Sequence, residues 1–371
     1  MSPVVGIDAT PLLGSRTGVG VFVDGLFSAL AGRPGLTLRA YGLTARGSRR
    51  LGAVLPAGVA HRRLPLPAGV ALRAWARTDI PTIEAWSGRV DVIHGTNFVV
   101  PPSRRAARLV SVHDLTSLHH PELCTPAARR YPDLVRRALG QGAWVHAVSE
   151  SVAADTVEHL GAEPGRVRVI YSGAPQPPAL PPPGQRPPSC PYILALGTVE
   201  PRKNLPALVA AFDHVADDHP DLELHIAGPT GWGEDALVRA IGASRHGRRI
   251  ARLGWVPDPA DELSGAAIVA YPSLYEGFGF PPLEAMAAGV PVVATAVAAL
   301  PEVLGNAAVL VAPGDTPALA AALGRVLSDD ALRARLIEAG RTRVGRYRWE
   351  LTGDRFARLY TELAGVGRVG L

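Results

Sequence analysis

Short apolar runs alternate along this chain with longer stretches whose apolar residues recur at three- and four-residue spacing. Val4-Val5-Gly6-Ile7 reads as a strand, and Val21 to Leu30 carries the apolar spacing of a helix. Further strands are predicted at 90–94, 108–113, 144–148 and 167–170. Several end on polar or glycine residues, as strands do when their carboxyl ends meet a ligand crevice. Beyond residue 190 the pattern repeats more cleanly. Strands are predicted at 192–196, 222–227, 250–253, 267–270, 291–294 and 308–311, with helices between them, including 204–215 and 235–243. Near-continuous apolar strands alternating with helices imply parallel sheets covered on both faces. The reading is α/β: two doubly wound, Rossmann-like domains with parallel sheets facing across a cleft.

A proline-rich stretch separates the two repeats. Residues 175–189 contain eight prolines, which excludes helix or central strand and favours a semi-rigid, extended linker. The expected organisation is a first domain over 1–175, a linker over 176–189, a second domain over 190–348 and a closing segment over 349–371. That segment begins at Trp349 as an amphipathic helix with apolar Leu351, Phe356, Leu359, Tyr360 and Leu363.

Composition narrows the function classes. A length of 371 residues suits two domains. A 47% hydrophobic and 19% charged composition excludes a disordered chain. No apolar run approaches the roughly 18 residues of a membrane span. The first residues lack the charged and apolar regions of a secretory signal. Two cysteines, Cys124 and Cys190, cannot build a disulfide framework or a zinc cage. A cytoplasmic location is therefore expected.

Lysine and arginine together number 38, yet Lys203 is the one lysine. A compact ammonium is not interchangeable with a guanidinium. Residues 1–175 hold 20 arginines against 12 acidic residues, whereas the remainder is slightly acidic. The basic half would suit an anionic partner, such as a phosphorylated acceptor or the inner membrane face. A solvated arginine-rich surface accounts for it equally well. Nucleic acid is not expected, because no binding module accompanies the charge.

Four stretches could carry chemistry. The first runs from Glu276 through Gly277, Phe278, Gly279 and Phe280 to Glu284, two carboxylates eight positions apart around a glycine turn and a Pro-Pro helix start. Glu284 is expected in the first helical turn, beside the positive end of the dipole, where it could be no more than a helix-start acid. Backbone amides at 277–280 could receive phosphate oxygens, and a carboxylate accepts from two sugar hydroxyls at once. The second is Gly197-Thr198-Val199-Glu200-Pro201-Arg202-Lys203-Asn204, a strand-to-helix turn with two cations. It suits a phosphate, or is an ordinary charged turn. The third is a loop from Asp8 to Gly18-Val19-Gly20 before a helix. It does not complete a dinucleotide fingerprint, because position 23 is valine and the loop is long. The fourth is His113-Asp114 at a strand end, where Asp114 could orient the ring.

These residues resemble those of the retaining glycosyltransferases of family 4, which have the two-domain GT-B architecture. The resemblance runs through Gly18-Val19-Gly20, His113-Asp114, Ala147-Val148-Ser149-Glu150-Ser151, Tyr171-Ser172-Gly173, Pro201-Arg202-Lys203-Asn204, Ile226-Ala227-Gly228 and Leu253-Gly254-Trp255-Val256. Its most specific part is Pro272-Ser273-Leu274-Tyr275-Glu276 through Glu284-Ala285-Met286-Ala287-Ala288-Gly289, similar to the family's Glu-x7-Glu signature, followed by Leu300-Pro301-Glu302-Val303.

The resemblance implies the following roles. A nucleotide diphosphate sugar is the co-substrate, with no other cofactor. Lys203 and Arg202 hold the diphosphate, Glu284 the ribose and Glu276 the donor sugar. Amides near Gly277, Phe278, Gly279 and Phe280, together with Thr198, Gly228 and Val256, line the donor. Gly18, Val19 and Gly20 close over the phosphates, and His113 sits near the transferred centre. The first domain takes a glycan or lipid-linked acceptor, and the closing helix crosses back to it. Many relatives carry arginine where this chain has Thr198, and Arg202 is the candidate replacement. The chain has no Asp-x-Asp, which fits stabilisation of the leaving group without a metal. The motif wording resembles a branch rich in mannosyltransferases, so GDP-mannose is the first expectation. UDP-sugars and a nucleotide-sugar epimerase remain the alternatives.

Overall fold

The computed structural model describes residues 2–14, 18–44, 50–63, 67–174 and 191–369. The predicted proline-rich linker lies outside the described residues. The chain forms two compact units, one of residues 1–173 with 348–371 and one of residues 174–347.

The first unit holds a seven-stranded sheet. Its strands are β1 (Val4–Asp8), β2 (Thr37–Gly42), β3 (Ala60–Arg63), β4 (Val92–Gly95), β5 (Ala107–Val112), β6 (Trp144–Ala147) and β7 (Val167–Val169). They lie in the order β3-β2-β1-β4-β5-β6-β7, and every pairing is parallel. Strands β2 and β3 were not legible as apolar runs. β3 is an edge strand of sequence Ala-His-Arg-Arg with its side chains exposed at 60–62, so burial never demanded an apolar pattern.

The closing helix, Trp349–Val369, belongs to this unit and is tied into its core by a buried polar chain. His146 Nε2 lies 2.9 Å from the Ile170 carbonyl, so Nε2 carries the proton and Nδ1 accepts from Ser111 Oγ at 2.8 Å. Ser111 Oγ accepts in turn from His94 Nε2 at 2.7 Å, and His94 Nδ1 accepts from the Tyr360 hydroxyl at 2.7 Å. One assignment of protons satisfies all four groups. Phe22 and Phe356 stack on the same histidines, and burial pushes the His146 pKa down to about 3. Close approach of Trp349 is possible because Gly25 and Gly173 have no Cβ. A methyl at either position would overlap the indole.

The second unit holds a six-stranded parallel sheet. Its strands are β8 (Tyr192–Leu196), β9 (Glu223–Ala227), β10 (Ile250–Gly254), β11 (Ile268–Tyr271), β12 (Val292–Thr295) and β13 (Ala308–Val311), in the order β10-β9-β8-β11-β12-β13. The sequence placed all six. Ile193, Leu224, Ile268 and Val293 from the sheet pack with Leu208 and Phe212 of the helix Leu205–Asp218, and with Leu323 and Val326 of the helix Thr316–Ser328. Both sheets reverse strand order once, between β1 and β4 and between β8 and β11. Open parallel sheets bind ligands at the carboxyl ends of the strands beside such a reversal.

Candidate active site

At the reversal of the second sheet, the loops after β8 and β11 bring the singular lysine and the first glutamate together. After β8 the chain turns through Gly197 and a short 3-10 turn, Pro201–Lys203, into the helix Leu205–Asp218. Gly197 has φ +134°, and the Lys203 stem lies against it. Gly228, at the end of β9, has φ +150° and donates its N–H to the Gly254 carbonyl at 2.7 Å. A Cβ there would overlap the Gly197 carbonyl oxygen, so this position requires glycine to let the two strand-end loops touch.

Lys203 is buried, with 8% of its surface exposed. Its ammonium donates to Glu276 Oε1 at 2.7 Å and to the Tyr271 hydroxyl at 2.6 Å, and stands over the Tyr271 ring. Arg202 reaches the other carboxylate oxygen, Glu276 Oε2, at 2.7 Å, and also donates to Glu200 Oε2 and to the Tyr275 carbonyl. Glu276 therefore bridges both cations, which hold its pKa down at about 2 against the effect of burial. Burial lowers the pKa of Lys203 even so, with the charge of Glu276 opposing the shift. A compact ammonium fits a buried slot between a tyrosine and a carboxylate that a guanidinium would overfill.

The loop then runs through Gly277 and Phe278 to Gly279, whose φ of +112° starts the helix Phe280–Ala287. Phe278 is buried and meets Phe280 and Tyr347 edge-to-face. Among the described residues, no acceptor meets the N–H groups of Phe278, Gly279 or Phe280. These amides, at a helix start, form a ready-made anion cradle.

Glu284 departs from its expected place. It is the fifth residue of that helix, and the first turn holds no acid. Two prolines after Phe280 extend the start of the helix, so the dipole's positive end lies a turn away. Its carboxyl is partly buried with no hydrogen-bond partner among the described residues. Burial, and then the charge of Asp258, raise its pKa to about 7. Thr198 lies on the turn after Gly197, and Val256 follows β10, both partly buried.

The first unit carries the remaining expected residues. Gly18, Val19 and Gly20 are the opening residues of the helix Gly18–Leu30, not a loop, and residues 15–17 lie outside the described residues. His113 is at the end of β5, with Phe22 and Phe98 edge-on to its ring. Its Nε2 donates to the Thr96 carbonyl at 2.7 Å, which leaves Nδ1 as the acceptor nitrogen. Burial lowers its pKa, which favours the neutral ring. Asp114 does not orient that ring through a hydrogen bond. Its carboxylate accepts from the Thr116 N–H instead. Nearby, Asp8 at the end of β1 accepts from the Thr10 N–H and hydroxyl, and burial raises its pKa to about 6.

Sequence reasoning missed Tyr271, and it included Glu200 and Asp8 in candidate stretches without giving either a role. Each is a polar residue at or just beyond the carboxyl end of a strand, which was the available signal.

Both halves of the chain match known protein families. Residues 16–176 match the family model "Glycosyltransferase Family 4", and residues 190–329 match "Glycosyl transferases group 1". The chain belongs to glycosyltransferase family 4. Over 164 residues, 43% of the chain and 42% of the relative, it is 37% identical to an O-antigen chain mannosyltransferase B of Escherichia coli. Over 181 residues, 47% of each, it is 38% identical to a phosphatidyl-myo-inositol mannosyltransferase of Mycobacterium leprae. The match thus spans less than half the length of these relatives.

Among solved structures, the sucrose-phosphate synthase of Thermosynechococcus elongatus superposes with a TM-score of 0.76 at 21% identity, over 98% of this chain and 100% of that one. Anabaena HepE in complex with UDP-glucose gives 0.72 at 18%, over 97% and 100%. The fold of this family 4 chain is GT-B. Among the described residues, no helix is long and apolar enough to cross a membrane.

Proposed function

We propose that this chain transfers a hexose from a nucleotide diphosphate sugar to a hydroxyl of a glycan, lipid-linked or other acceptor, with retention at the anomeric carbon. The observation that carries the reading is the Arg202–Lys203 pair at the sheet reversal, bonded to Glu276 at the head of a loop in which, among the described residues, no acceptor meets the amides of Phe278, Gly279 and Phe280.

In this mechanism the bond from the anomeric carbon to the diphosphate oxygen breaks while the bond to the acceptor oxygen forms on the same face. The departing phosphate takes the acceptor's proton. Negative charge grows on that phosphate, and Lys203, Arg202 and the amides at 278–280 stabilise it, a contribution on the order of several kcal/mol. The diphosphate competes with Glu276 for the two cations, and Glu276, once released, accepts from the hydroxyls of the donor sugar. Glu284 accepts from the ribose diol. Arg202 supplies the cation that Thr198 does not. No metal takes part in the transfer.

GDP-mannose is the proposed donor, supported by the mannosyltransferases among the relatives. The arginine-rich first half supports an anionic, membrane-face acceptor. The test is a thermal-shift screen of GDP-, UDP- and ADP-sugars. The correct donor at 100 times its dissociation constant adds about 2.7 kcal/mol of stability. A response to UDP-glucose in place of GDP-mannose changes the donor, and no response to any of them sinks the reading. The one-bond coupling between C1 and H1 at the product's anomeric centre then checks retention. Isomerised donor formed without acceptor would mark an epimerase.

A further inference from the structure

Away from the cations of the second unit, the first unit gathers two imidazoles and a carboxylate. His119 ends the short helix Thr116–His119, and Asp155 and His159 stand four apart on the helix Glu150–Leu160. Residues four apart share one helical face. His119 Nε2 lies 3.0 Å from Asp155 Oδ2, and His159 Nε2 lies 3.9 Å from Asp155 Oδ1. One ligand atom from each residue falls within 4.8 Å of the others, and the two rings meet edge-to-face with centroids 5.0 Å apart.

We propose that these three side chains bind one divalent ion of the zinc class, which staples the segment after His113-Asp114 to the helix Glu150–Leu160. Ligands at about 2.1 Å around a tetrahedral zinc stand roughly 3.4 Å apart. The observed separations need only small side-chain rotations to reach that geometry. Two imidazoles and a carboxylate select zinc, cobalt or nickel over magnesium, which prefers oxygen ligands alone. Three protein ligands leave the fourth position to water. The side chains are about a quarter to a third exposed, so the ion has a path from solvent. Surrounding charge also favours a cation. Glu158 Oε1 lies 3.9 Å from His159 Nε2, and Glu122 pairs with the adjacent His120. A nearby cation, Arg136, is turned to Asp133 and to the His159 carbonyl. The proposed ion is a staple within the first unit and takes no part in glycosyl transfer.

The test uses the full chain without an affinity tag, stripped with EDTA, and titrates it with zinc chloride by calorimetry. One equivalent should bind, the melting temperature should rise with zinc but not with magnesium, and cobalt in its place should give the intense visible bands of a tetrahedral site. His119→Gln and His159→Gln should each abolish that equivalent and the cobalt bands while melting, in EDTA, as the parent does. Asp155→Asn serves in the same way where a histidine variant fails to fold. Failure of the parent chain to bind a stoichiometric zinc overturns the proposal. So does an equivalent that survives in folded variants, since the ion would then be held elsewhere.

Discussion

Lys203 Nζ and Glu276 Oε1 lie 2.7 Å apart although 73 positions separate them in sequence. Strands β8 and β11 are neighbours across the point where strand order reverses, and each residue sits on the loop that leaves its strand. The pair thus turns a topological feature into a charged site. In a chain with 38 basic residues, the lysine stands where only a small ammonium reaches both a carboxylate and the Tyr271 hydroxyl.

Replacing that lysine tests the transfer reading. Lys203→Ala should lower kcat by about 100-fold or more, the scale of losing one preorganised charge at a developing oxyanion. Lys203→Arg should not restore it, because a planar guanidinium does not fit between Tyr271 and Glu276. Steady-state kinetics on folded variants decide the matter, and near-parental turnover in Lys203→Ala would remove Lys203 from the mechanism.

Glu284 gives a pH signature for donor binding. Its carboxyl has a pKa raised to about 7, so free protein near neutrality holds it part protonated. A ribose diol donates to the ionised form, so affinity for a nucleotide diphosphate sugar should strengthen roughly tenfold from pH 6 to pH 8. The sugar-blocked diphosphate does not itself titrate in that window. Calorimetric dissociation constants at both pH values should show the trend, and Glu284→Gln should bind more weakly with the trend flattened. The sign for folding is opposite. A raised carboxyl pKa adds stability at acid pH that disappears as pH climbs through about 7.

Glycine 228 supplies a structural test of the same site. Its φ of +150° and the nearby Gly197 carbonyl leave no room for a Cβ. Gly228→Ala should cost at least about 2 kcal/mol, because strain and backbone overlap add. It should also weaken donor binding by displacing the turn that carries Lys203. A urea midpoint equal to that of the parent would contradict both expectations.

Legibility followed burial. The central strands of the second sheet, β8, β11 and β12, are apolar runs because they are buried on both faces, and a run of Val, Ile and Leu can be read without an alignment. Edge strand β3, polar and exposed, left no such trace. Charged residues at strand ends, Arg202, Lys203 and Glu276, were legible as chemistry, but their mutual bonding was not. It depends on β8 and β11 being neighbours, a fact of topology and not of local sequence. Glu284 was misplaced by a turn because two prolines suggested a later helix start than Gly279 allows. Adjacency in sequence points to Asp114 as the partner of His113, whereas the carbonyl that holds its ring comes from the loop after β4. The His119, Asp155 and His159 cluster showed only its four-residue spacing on one helix, and the third ligand lies 36 positions away.

The buried histidine chain makes the first unit acid-labile, and the proton assignments give the direction. His146 is neutral in the fold, with a pKa pushed down to about 3, and burial also holds His94 well below the usual histidine range. In the unfolded chain both titrate near 6.5. Their native bonding is therefore fully available above about pH 6.5 and is lost as pH falls, since only the unfolded state takes up the protons. Each such histidine should remove about 1.4 kcal/mol of stability per pH unit below that point. Urea unfolding of the first unit at pH 7, 6 and 5, followed by Trp fluorescence, measures the slope. Tyr360→Phe removes the donor to His94 Nδ1 and should cost about 1–2 kcal/mol at pH 7. That variant leaves both histidines buried, so the slope should persist. His146→Gln, which cannot take up a proton, should lose one histidine's share of it. If His146→Gln folds and keeps the full parental slope, the acid response does not come from this chain of hydrogen bonds.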